Sequence, residues 1–192
     1  MNSKRLLSVD LETTGVKGDV EILQVAARLV DIVYDTGKID ITPVKGGALV
    51  AYVEPERTSA WPEAMACNHI TPEMVKGAYH ISELMPYIQR LADLSEGILV
   101  YNGGSFDIPL LKRYGLVSSK PLYDVMLAYD DYRKEPRYYM GKLQQGYKWF
   151  SLTNACSDEG ISSEGAHNAF CDIQMMESLF CVLYKKGYPV FG

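Results

Sequence analysis

The sequence predicts a mixed α/β domain, and three observations carry that prediction. A short apolar run, Leu6 to Val9, has the length of a buried strand. A Val- and Ile-rich stretch, Ile22 to Val33, follows it and leads into a turn-like Tyr34-Asp35-Thr36-Gly37-Lys38. From Ser82 onward, apolar residues at helical spacing alternate with short apolar runs. Antiparallel strands first, then alternating helix and strand, make a mixed sheet with helices packed on it. With 192 residues, 47% of them hydrophobic, the chain can bury a substantial core, and a single domain over residues 1–192 is expected.

The first strand ends in Asp10-Leu11-Glu12-Thr13-Thr14-Gly15. Side chains two apart in a strand point to one face, so Asp10 and Glu12 project together. Two bare carboxylates that close repel, and burying them is unfavourable unless a cation neutralises them. All-oxygen ligands suit Mg²⁺ or Mn²⁺ better than Zn²⁺. A strand that merely ends in a polar turn is the plain alternative, and this stretch alone does not choose.

Ile22 to Val33 is expected to pair with the first strand. A further strand pair is expected through Lys38 to Val53, with Gly46-Gly47 as a second turn or a bulge. Pro55 and Pro62 bracket a loop. Thr71 and Pro72 carry a helix-start signal, cap and first position. A longer amphipathic helix runs from Ser82 through Leu84, Ile88, Leu91 and Leu94, and Gly97 ends it before the short strand Ile98 to Tyr101. Pro121 to Asp131 continues as strand, turn and helix. Ser151 caps a short helix reaching Gly160, and Ile173 to Lys186 forms the last, with Ile173, Met176, Phe180 and Leu183 as its buried stripe.

Two more stretches bear chemistry. Tyr101-Asn102-Gly103-Gly104-Ser105-Phe106-Asp107 is a strand end, a polar turn and an acid near a helix N-terminus, where the helix dipole favours negative charge. Gly165-Ala166-His167-Asn168-Ala169-Phe170-Cys171-Asp172 precedes the last helix. Asn168 is a good N-cap, which puts His167 outside the helix and Asp172 in its first turn.

The totals bound the partners. Net charge is −5, from 24 acids against 19 bases, so a global basic footprint for nucleic acid is absent. Setting four acids aside as metal ligands leaves the remainder near neutral, and a polyanionic substrate would then depend on bound cations and local basic residues. Four widely spaced cysteines without a C-x-x-C pair fit reduced thiols rather than a zinc knuckle or disulfide framework. Lys4 and Arg5 precede too few apolar residues for a signal peptide, and no run approaches membrane-spanning length. A soluble, cytoplasmic protein with no membrane partner is expected.

Together the three motifs, D-x-E-T-T-G, Y-N-x-x-x-F-D-x-P-x-L and A-H-N-A-x-x-D, resemble those of the DEDDh (DnaQ-like) 3′→5′ exonucleases, the proofreading branch in particular. The resemblance runs from about Leu6 to Leu183. It departs in one place: Gly104 and Ser105 make the second motif's loop a residue longer than in proofreading subunits. The resemblance implies a ribonuclease H-like fold, a mixed five-stranded sheet flanked by helices. It implies Asp10, Glu12, Asp107 and Asp172 as ligands of two Mg²⁺ or Mn²⁺ ions, with His167 as general base, and release of nucleoside 5′-monophosphates from single-stranded 3′ ends. Phosphodiester hydrolysis needs an activated water and charge stabilisation at phosphorus, which two ions about 3.5–4 Å apart supply. An imidazole, with an ordinary pKa near 6.5, suits proton removal at neutral pH.

Leu11, Thr13 and Thr14 are candidate cradles for the terminal nucleotide, with Asn102, Phe106 and His69 as further substrate-binding candidates. Asp124 resembles a family position near the active centre. The basic, Tyr-rich segment from Arg133 to Trp149 suits single-strand stacking and phosphate contact, and equally an ordinary loop with amphipathic tyrosines. DNA is favoured over RNA by the first motif. An oligoribonuclease-type enzyme, and a module held by a polymerase or repair partner, are the alternatives.

Overall fold

The computed structural model describes residues 1–191. In chain order the elements are β1 (Asn2–Thr13), β2 (Ile22–Asp35), β3 (Lys38–Tyr52), α1 (Pro62–Asn68), α2 (Pro72–Val75), α3 (Ile81–Leu94) and β4 (Gly97–Val100). They continue with α4 (Asp107–Arg113), β5 (Leu122–Asp124), α5 (Val125–Arg133), β6 (Pro136–Tyr139), β7 (Lys142–Tyr147), α6 (Leu152–Asp158) and α7 (Ala169–Lys185). A five-stranded mixed sheet runs β3-β2-β1-β4-β5, with β1 to β3 antiparallel and β4 and β5 parallel to β1. Helices cover both faces, as the resemblance implies.

Period-two alternation along β1 decides what faces which layer. Leu7, Val9 and Leu11 enter the core shared with α3 and α4, against Leu84, Ile88 and Leu111. Leu6 enters the opposite core with Tyr129, Ile173 and Phe180, under α5 to α7. Asp10 and Glu12 follow Leu6 onto that second face, the face α7 covers. From Leu6 to Ser8 β1 is buried and paired on both sides, with β2 and β4, and its last residues continue on β2.

Three elements differ from expectation. Lys38 to Tyr52 is one strand, because both of its halves pair with the same long β2: Val30 opposes Pro43 while Arg28 opposes Ala48. The residues between loop out as a bulge, in which Gly46 adopts φ 72°. The Pro55–Pro62 loop is present, and it leads into a helix the sequence did not suggest, α1, whose seven residues are too few to show a period. Trp61 anchors it by donating from Nε1 to the Ile70 carbonyl at 2.7 Å. The segment after Arg133 folds as a separate two-stranded ribbon, β6–β7, outside the main sheet. The α3 start falls at Ile81, where the Glu83 carboxylate accepts from the His80 amide at 2.8 Å. No helix among the described residues is long and apolar enough to cross a membrane.

Candidate active site

Three chain segments bring their carboxylates to the C-terminal end of β1. β1 itself supplies Asp10 and Glu12. β4 runs parallel to β1 and delivers the turn that ends in Asp107, the first residue of α4. α7 supplies Asp172 from its first turn, with Asn168 capping the helix by accepting from the Phe170 and Cys171 amides at 3.1 and 3.4 Å. Gln24 of β2 fixes that helix end to the sheet: its Oε1 accepts from the Ala169 amide at 2.9 Å.

The second motif's turn is built for close approach. Asn102 adopts φ 57°, and its side-chain oxygen accepts from Ser105 Oγ at 2.9 Å, so this side chain holds the turn. A Cβ on Gly103 would meet Val100 Cβ at 2.6 Å and the Asp107 carboxylate at 3.0 Å. Only glycine lets the turn pack this tightly behind Asp107. Asp124 accepts from the Asn102 amide at 2.9 Å and from the Met126 amide at 3.1 Å. It thus joins the turn to the start of α5 and supports the site from behind. Despite its longer loop, the turn sets Asp107 to receive a hydrogen bond from the Leu11 backbone.

Electrostatically the four acids strain one another. Burial, then Asp107, Asp172 and Glu12 in turn, push the Asp10 carboxyl well above the ordinary carboxylate range. Burial, then Asp172, pushes Glu12 up to about 7, against a lowering hydrogen bond from Asn68. Burial raises Asp107 to about 7 although hydrogen bonds from backbone, including Leu11, oppose it. Burial raises Asp172 to about 6, opposed by the His167 backbone bond and charge. Four acids sharing one low-dielectric place cannot all ionise without a counter-charge. Ligand atoms of Glu12, His167 and Asp172 already lie within 4.8 Å of one another. A set of carboxylate oxygens with mutual repulsion fits a hard divalent cation.

His167 lies outside α7 as expected, exposed and in the left-handed region at φ 67°. Its backbone amide donates to Asp172 Oδ2 at 3.2 Å. Its Nδ1 lies 3.6 Å from the Cys67 thiol on α1. The sequence offers Cys67 only as a reduced thiol and gives neither it nor Asn68 a place at the site, because the helix that presents them leaves no periodic signal. Buried Asn68 donates to the Thr13 carbonyl at 3.3 Å and ties α1 to the first motif.

The remaining candidates separate. Leu11 is buried in the α3/α4 core, and Phe106 packs against that same core. The Thr13 hydroxyl donates to the Gly15 carbonyl at 2.6 Å, and the Thr14 hydroxyl accepts from the Glu21 amide at 3.0 Å. Both hydroxyls therefore shape the loop after β1. His69 is exposed at the end of α1, at φ 58°.

A family model described as exonuclease, RNase T, matches residues 7–180, from the first motif through the third. The chain belongs to this exonuclease family. A curated relative, the uncharacterized exonuclease CP81 of Escherichia phage 186, is 31% identical over 93% of this chain and 88% of its own. Among solved structures, Escherichia coli exonuclease I in complex with a dT13 oligonucleotide superposes with a TM-score of 0.72 at 19% identity. It covers 98% of this chain, which spans 42% of that one. A 3′-exonuclease described as recognising the 3′ end of a histone mRNA stem-loop gives 0.67 at 16% identity, over 98% of this chain and 84% of its own. At these identities the structural likeness is one of fold.

Proposed function

We propose that the protein is a divalent-cation-dependent 3′→5′ exonuclease that removes nucleoside 5′-monophosphates from single-stranded DNA ends. The observation that carries this reading is the crowding of four carboxylates, each pushed up toward neutrality, with an imidazole at their rim. Two Mg²⁺ or Mn²⁺ ions, when bound, would lower the pKa of the attacking water and neutralise charge on the scissile phosphate. Asp10, Glu12, Asp107 and Asp172 would hold them, and until they do the negative charge on those acids that are ionised repels phosphate. His167 takes the proton from the attacking water. Because its Nδ1 faces Cys67, Nε2 is the nitrogen left for that proton, and the exposed position lets the ring pass it to solvent. The Leu11 backbone and the loop shaped by Thr13 and Thr14 border the place for the terminal nucleotide.

DNA is favoured by the likeness to exonuclease I with its bound oligonucleotide, and the stem-loop 3′-exonuclease keeps RNA as the second reading. The deciding experiment is a gel time course with 5′-labelled single-stranded DNA and the matching RNA, in Mg²⁺, Mn²⁺ or EDTA. A ladder shortening from the 3′ end only with metal is expected, faster on DNA. A faster RNA ladder would select the ribonuclease reading. No ladder from folded protein would leave a domain that works only with a polymerase or repair partner.

A further inference from the structure

The β6–β7 ribbon is a feature the fold does not need. Residues 133–149 carry five bases, Arg133, Lys134, Arg137, Lys142 and Lys148, against one acid, Glu135, in a chain whose net charge is −5. The ribbon belongs to neither core cluster, and a two-stranded ribbon standing alone is marginally stable in water. Its tip, Met140-Gly141, has both residues at positive φ, the tight turn that lets two strands double back. Yet its surface is aromatic: Tyr138 is 63% exposed, Tyr139 68% and Trp149 59%. Exposed aromatic surface of this density, with nothing buried in return, marks an interaction site.

The base of the ribbon is fixed to the body of the domain. Arg133 ties to Glu135, and to Asp158 at 2.6 Å, while Lys148 reaches Glu135 at 3.1 Å. The Phe150 carbonyl, one residue beyond Trp149, accepts from the Tyr101 hydroxyl at 2.8 Å. Tyr101 opens the turn that carries Asp107. Those ion pairs engage Arg133 and Lys148. Arg137 lies 4.0 Å over the Trp149 ring, a cation paired with one face of an exposed aromatic.

We propose that the β6–β7 ribbon is a single-strand-binding arm that holds the substrate upstream of the nucleotide being cleaved. Tyr138, Tyr139 and Trp149 stack on bases, and Arg137, Lys134 and Lys142 meet phosphates. The charge argument selects this occupant: bare, the four-carboxylate centre repels a polyanion, and the ribbon carries five bases against one acid and is tied through Phe150 to Tyr101, the residue that opens the Asp107 turn. The proposal rests on the exonuclease reading for its biological sense but not for its test.

The test reads binding apart from cleavage. A 5′-fluorescein oligo-dT of about 15 nucleotides, long enough for a groove-sized site, is titrated in EDTA by fluorescence anisotropy. The protein forms are wild type, Tyr138→Ala/Tyr139→Ala, and Arg137→Gln/Lys142→Gln. All four positions are outside the cores, and thermal melting checks folding. Hydrolysis of the p-nitrophenyl ester of thymidine 5′-monophosphate in Mn²⁺, a substrate with no upstream strand, reports the carboxylate site alone. The aromatic variant is expected to bind at least about tenfold more weakly. The charge variant should lower the slope of log affinity against log salt by about 1.4, at roughly 0.7 per phosphate contact. Both should hydrolyse the ester within about twofold of wild type. Unchanged affinity in both folded variants would overturn the proposal, and if sedimentation showed them losing a dimer that wild type forms, the ribbon would be a self-association surface. A wild type that binds the oligonucleotide but leaves the ester and the gel substrates intact would instead sink the exonuclease reading and leave the arm standing.

Discussion

Asp10 shows how a single side chain can be wrong for stability and right for chemistry. It sits among three other acids on a strand end, and neutralising it relieves repulsion that the fold otherwise bears. Asp10→Asn is therefore expected to raise the melting temperature of the metal-free protein by about 2–4 °C, the effect of roughly 1 kcal/mol in a chain this long. The same change should cut nuclease activity by at least about 10³-fold, since loss of an ion removes several kcal/mol of charge stabilisation. A melt and a rate on one sample check both halves. His167→Ala separates proton transfer from metal binding: turnover should fall by about 10²–10⁴-fold, while the rise in melting temperature on adding Mn²⁺ stays as in wild type. Loss of that rise would make His167 a ligand rather than a base. At this scale the five residues proposed for the chemistry were legible as candidates, because carboxylates and an imidazole in fixed spacing leave a pattern. Gly103, Asn68 and Cys67 were not, because each matters through a neighbour that is distant in sequence or an approach distance that only packing defines.

Among elements, the start of α7 carries the most function per residue. The Asn168 cap, the Gln24 bond to Ala169 and the His167 amide on Asp172 lie within one turn of the helix. Asn168→Ala should cost about 0.5–2 kcal/mol of stability, the usual worth of an N-cap. It should also slow turnover, since fraying the first turn moves His167 and Asp172 together; urea unfolding and kcat on the same variant measure the two effects. A stability loss with kcat unchanged would show that the sheet alone positions Asp172. Strand β1, the cap at Asn168 and the helix over residues 81–94 were readable from local rules. The single bulged β3 was not, because whether two halves form a pair or share a partner depends on β2, a separate strand. Helix α1 escaped for its shortness, and it is the element that brings Cys67 to His167.

Over the whole molecule, the carboxylate cluster couples folding to pH. Glu12 and Asp107 titrate near 7 and Asp172 near 6 in the folded chain, against ordinary values of 4.5 and 3.8. Between about pH 5 and 7 the native state therefore holds more protons than the unfolded state, and stability falls as pH rises. Asp130, pushed up to about 6 chiefly by burial, adds in the same direction. Burial alone would push Glu21 up too, but hydrogen bonds from residues 56–58 win and hold it below its ordinary value, so it is ionised in both states across this window. The metal-free protein should melt at a higher temperature at pH 5.5 than at pH 8. Saturating Mn²⁺ should flatten or reverse that slope, because cations take over from protons as the counter-charge. Melting curves at both pH values, with Mn²⁺ and with EDTA, measure this; a metal-free melting temperature that rises from pH 5.5 to 8 would contradict the cluster's electrostatics.

By itself the sequence determined the fold class and marked the residues proposed for the chemistry. Both rest on short-range patterns: period two in β1, period 3.6 in α3 and α7, and caps and acids at fixed offsets. Tertiary structure decided what those patterns cannot contain. It turned Asp10 and Glu12 to the α7 face while Leu11 filled the opposite core, and it fitted Gly103 behind Asp107. It also rooted the basic, aromatic ribbon beside Tyr101 instead of folding it into the sheet. Each of these outcomes is a contact between residues far apart in the chain, and such contacts exist only once the layers have packed.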